Sequence, residues 1–67
     1  MKIREIEDQL NILAEEVQTA AQHVRDYRTS SVPALDDLAT AQGLVTEAIR
    51  GLTQLCEALG LAYQSKA

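Results

Sequence analysis

Two aliphatic ladders, one on each side of Pro33, constrain what this chain can fold into. Ile3, Ile6, Leu10, Leu13, Val17, Ala20, Val24 and Tyr27 follow one another at alternating spacings of three and four. Leu38, Ala41, Val45, Ala48, Leu52, Leu55, Leu59 and Ala62 do the same. That spacing holds apolar side chains on one stripe of an α-helix, as in helices that pack along their length. No Gly or Pro interrupts residues 2–28, so the first ladder predicts a helix of about that span. Acidic residues crowd its first half, and Arg25 and Arg28 stand in its last turn, which suits the helix dipole.

Thr29, Ser30, Ser31, Val32 and Pro33 are the punctuation between the ladders. Hydroxyl side chains compete for backbone hydrogen bonds and favour caps, and proline is tolerated only in the first turn of a helix. We therefore expect a turn over 29–32, Ser31 or Val32 as N-cap, and a second helix over about 33–63. Asp36 and Asp37 would sit at its positive end. Gly60 is expected to loosen its end, leaving 64–67 as a frayed tail. So short a connection forces the helices antiparallel.

In an antiparallel hairpin the numbers of facing residues add to a constant. Val24/Leu38, Val17/Val45, Leu10/Leu52 and Ile3/Leu59 each add to 62. Ala20/Ala41, Leu13/Ala48 and Ile6/Leu55 add to 61. Seven layers match along the whole length, so the fold expected is all-α, one antiparallel two-helix hairpin domain over residues 1–67. The Ala20/Ala41 layer is small on both sides, which calls for a close helix approach or a partner side chain to fill it.

The hairpin carries more apolar surface than it can bury alone. Ala14 and Ala21 of the first helix and Gln42, Ile49, Cys56 and Tyr63 of the second fall on one flank beyond the ladders. Only Glu47, Arg50 and Glu57 are charged between Leu38 and Tyr63. Below roughly 70–80 residues a single core seldom supplies more than about 3–5 kcal/mol. One cysteine excludes an intrachain disulfide, and one histidine beside it cannot complete a four-ligand zinc site. Association is the remedy left. The expected interface is the flank bearing Ala14, Ala21, Gln42, Ile49, Cys56 and Tyr63, and the expected product is a homodimeric four-helix bundle or a higher helical oligomer. Ile12, Leu44 and Leu61 fall outside both sets.

Net charge is −4 with a pI near 4.7, which argues against nucleic acid, where a basic patch must displace phosphate counterions. No run of 18 apolar residues suits a bilayer, and Met1–Glu5 has no signal-peptide core. With a lone thiol, these features lead us to expect a cytoplasmic protein. No catalytic group, cofactor site or metal site is expected. His23 reads as a polar rim residue: only Ser30, Thr19 and Asp26 are near it in sequence, and the Ser and Thr are better used as caps. Cys56 has no nearby cation to activate it and reads as a small buried hydrophobe, the alternative being a disulfide to its own copy across a symmetry axis. Glu15/Glu16 and Asp36/Asp37 are helix neighbours that point apart. Gly43 and Gly51 serve either a close helix approach or nothing.

In outline the hairpin is similar to small dimeric four-helix bundles of the Rop kind, without the basic face those proteins turn to RNA. It also looks like the WXG100 helical hairpins, without their Trp-x-Gly turn at 29–33 and with Ala67 where their Tyr-x-x-x-Asp/Glu signal from Tyr63 requires an acid. The function expected is that of a non-enzymatic protein–protein interaction module: an assembly factor, scaffold or inhibitor of phage or mobile-element type. The alternative is one half of an obligate hetero-complex, such as an antitoxin, immunity or chaperone-like partner.

Overall fold

The computed structural model describes residues 1–66 as two helices, α1 (Ile3–Thr29) and α2 (Leu35–Lys66), packed against each other in a body 54 × 16 × 14 Å. α1 opens from an extended Lys2 with no side-chain cap. It closes at Ser30, also extended, whose N–H still donates to the Asp26 carbonyl at 3.0 Å. Threonine disfavours helix interiors because its hydroxyl competes for the backbone. Here Thr19, Thr29, Thr46 and Thr53 each donate to the carbonyl four residues back at 2.9 Å, so the competition is resolved within the helix.

The turn differs from the sequence expectation. α2 begins at Leu35, two residues after the expected start, and neither Ser31 nor Val32 caps it. The reason lies in Ser30 and Pro33. The Ser30 hydroxyl accepts from the Val32 N–H at 3.2 Å and donates to the Val32 carbonyl at 3.0 Å, which uses it to brace the loop. Pro33 meanwhile disfavours helical geometry at Val32. The first turn is tightened by the Asp37 N–H on the Ala34 carbonyl at 3.0 Å, with Asp36 and Asp37 at the positive end of the helix.

At the other end α2 runs through Gly60 to Lys66, so residues 64–66 are helical where a frayed tail was expected. Gly60 keeps negative φ like the glycines before it, and nothing there stops the helix. The tail's last residue, Ala67, lies outside the described residues.

The core is thin and ordered. Among the described residues its six buried side chains are Ile6, Leu13 and Ala20 on α1 and Ala41, Ala48 and Leu55 on α2. They are the three layers whose numbers add to 61. Leu13 lies against the α2 backbone at Gly51, where a Cβ would stand 2.8 Å from Leu13 Cδ2. Glycine therefore permits the close approach there. Gly43 and Gly60 face open space and do no such work.

Candidate interaction face

The four layers adding to 62 do not close, although all seven were expected to form one seam. Ile3, Leu10, Val17 and Val24 on α1 are 38–60% exposed, and Leu38, Val45, Leu52 and Leu59 on α2 are 38–44% exposed. The cause is a rotation of both helices. With 100° per residue, the Ile6/Leu13/Ala20 row has the Leu10/Val17/Val24 row on one side and the Gln9/Glu16/His23 row on the other. The second of these is the more covered: Glu16, His23, Asp37, Leu44, Gly51 and Ala58 are half-buried. The helices thus lean toward that side and open the aliphatic rows on the opposite face.

The two faces are chemically distinct. On the leaning side His23 Nδ1 and Asp37 Oδ1 meet at 3.1 Å. Among the described residues this is the only side-chain hydrogen bond between the helices. A shallow depression farther along is lined by Gln9, Glu16, Glu47, Arg50 and Gln54 around Ile12 and Leu13. The open face instead carries two apolar grooves. One has Ala20 and Ala41 as its floor and Val17, Val24, Leu38 and Val45 as its walls, with Ala21 and Gln42 at its rim. The other, nearer the chain termini, is bounded by Leu10, Leu13, Ala14, Val17, Gln18 and Leu52.

Those grooves place the residues picked out from sequence. Ala14 lines one groove, and Ala21 and Gln42 line the other. Ile49 (59% exposed), Cys56 and Tyr63 (75% exposed) continue the Gln42 row along α2. Cys56 is exposed within the single chain. These six residues form the margin of the face. Its centre is the Leu10/Leu52, Val17/Val45 and Val24/Leu38 layers, which sequence reasoning assigned to the intramolecular seam. One signal separates the two sets of layers: the closed layers contain Ala20, Ala41 and Ala48, and the open layers contain no alanine. Small side chains let two helix axes approach, so the alanine-bearing rows close first.

The hairpin as a whole is more extended than a compact monomer of its mass. A compact monomer of 7.3 kDa exposes about 4,200 Å². This chain exposes 5407 Å², and its radius of gyration is 15.6 Å against about 11 Å for a compact domain of its length. The excess, about 1,200 Å², exceeds the roughly 800 Å² that each partner buries in a standard stable interface.

No group of three His, Cys, Asp or Glu side chains is placed to hold a metal ion among the described residues. Tyr27 is half-buried at the turn end of the first ladder. Among the described residues, no helix is long and apolar enough to cross a membrane. Ile12 and Leu61 are 52% and 69% exposed and lie away from the two apolar grooves. No protein-family model, curated protein or solved structure matches the chain.

Proposed function

We propose that the chain is a non-enzymatic protein–protein interaction module that works as a homo-oligomeric helical bundle, serving as an assembly factor, scaffold or inhibitor. The observation that carries this reading is the open row of eight large aliphatic side chains, each at least 38% exposed, along one face of a hairpin with a six-residue core. Leaving such a stripe in water forfeits roughly 25 cal/mol for every Å² that a partner would cover. A contiguous apolar face of this kind marks an interaction site.

Sedimentation equilibrium of the pure chain at micromolar concentration tests the reading, with Leu52→Asp as the variant that places an unpaired charge at the centre of the face. The parent should run as a discrete oligomer and the variant as a monomer with reduced helicity. A folded monomeric parent whose melting temperature the substitution leaves alone overturns the proposal. A parent that is unfolded or aggregated alone, yet folds with a co-expressed protein, supports instead half of an obligate hetero-complex of the antitoxin, immunity or chaperone-like kind.

A further inference from the structure

The open face is not uniform along its length, and the difference selects how a second copy sits on it. Near the termini its layers are large: Ile3/Leu59 and Leu10/Leu52. The next layer, Val17/Val45, is smaller, and the groove between it and Val24/Leu38 has only Ala20 and Ala41 as its floor. A twofold axis that leaves both turns at one end would stack like on like, leucine on leucine and groove on groove. It would leave the alanine floor uncovered. An axis perpendicular to the long dimension reverses the partner and brings large layers over small ones.

We propose, resting on the homo-oligomer reading above, that two copies pair open face to open face with their turns at opposite ends. The axis crosses between the Leu10/Leu52 and Val17/Val45 layers. Leu10 and Leu52 of each copy then fill the groove over Ala20 and Ala41 of the other, and Val17 packs against Ala14 of the other copy's α1. Tight packing of this kind recovers dispersion contacts that an empty groove forfeits.

Distances between labels on the two copies decide the orientation. In a Cys56→Ala background, which leaves no other thiol, Ser31→Cys places one spin label at each turn. The reversed pair predicts a turn-to-turn distance of about 45 Å, at 1.5 Å of helix rise per residue. Mixing chains labelled at Ser31→Cys with chains labelled at Lys2→Cys should give a short distance between them, under about 25 Å, the width of a bundle plus the label arms. The same-ended pair predicts the opposite result in both samples. A dimer by mass with adjacent turns overturns the orientation and leaves the homo-oligomer reading standing. A labelled chain that stays folded and monomeric at every concentration overturns both. In the reversed pair the two Cys56 residues also lie about 30 Å apart along the bundle, so oxidation of the parent dimer should produce no covalent dimer.

Discussion

The layers adding to 61 and those adding to 62 are built from the same kinds of aliphatic residue, yet they meet opposite fates. The first set, Ile6/Leu55, Leu13/Ala48 and Ala20/Ala41, is 2–9% exposed. The second, from Ile3/Leu59 to Val24/Leu38, is 38–60% exposed. Hydrophobicity alone cannot separate them, because the open set is the greasier of the two. Size does. Alanines and the Leu13–Gly51 contact draw the backbones together on one side, and the larger side chains are turned outward as a consequence. Close packing within the chain and exposure of apolar surface are therefore allotted to different rows of the same helices.

The sharpest way to break this division is to charge one member of each set. Leu55→Asp puts a carboxylate into the closed row and should abolish helicity at every protein concentration, as seen by far-ultraviolet circular dichroism. Even the milder Leu55→Ala should cost about 2–5 kcal/mol. Leu52→Asp, three residues away in the open row, should act through association. Melting of the parent should depend on concentration, and melting of the variant should not. If the two aspartates give the same loss at all concentrations, the closed and open rows are not separate.

A smaller effect comes from the glycines. Gly43→Ala meets nothing within 4 Å and should stabilise by about 0.5–1 kcal/mol through helix propensity. Gly51→Ala gains the same propensity but drives its Cβ to 2.8 Å from Leu13 Cδ2, and overpacking of this kind costs about 1–3 kcal/mol. Thermal melts should place Gly51→Ala at least about 1 kcal/mol below Gly43→Ala. Equal stabilisation by both would mean that Leu13 yields freely and that the close approach is not what shuts the row.

Smallest is the polar link on the leaning side. His23→Ala, Asp37→Ala and the double variant form a cycle whose coupling should fall below about 1 kcal/mol, because both side chains remain partly hydrated. A larger coupling would make that contact, rather than the alanine rows, a main determinant of the lean.

The hairpin was legible because a heptad ladder on each side of Pro33 fixes both the helices and their register. Two independent ladders do not mirror each other by accident. The rotation of the helices was harder to read. A pattern of threes and fours marks two adjacent rows and does not say which one faces inward. That choice depends on volumes at Ala20, Ala41 and Ala48, information present in the residues but not in their periodicity. The interface expected at Ala14, Ala21, Gln42, Ile49, Cys56 and Tyr63 therefore lay at the margin of the open face. The turn was misplaced for a local reason, the Ser30 hydroxyl being committed to Val32.

The thread between the helices is short, and this shapes how the molecule comes undone. Closing a chain loop costs entropy that grows with the logarithm of its length, so the His23–Asp37 neighbourhood, 14 residues apart, zips cheaply. Ile3 and Leu59 must bridge nearly the whole chain. Strand-like fraying of a zipper then begins at the termini, and amide exchange should slow steadily from there toward the bend. Two zippers laid head to foot would each have the loose end held down by the tight end of the other.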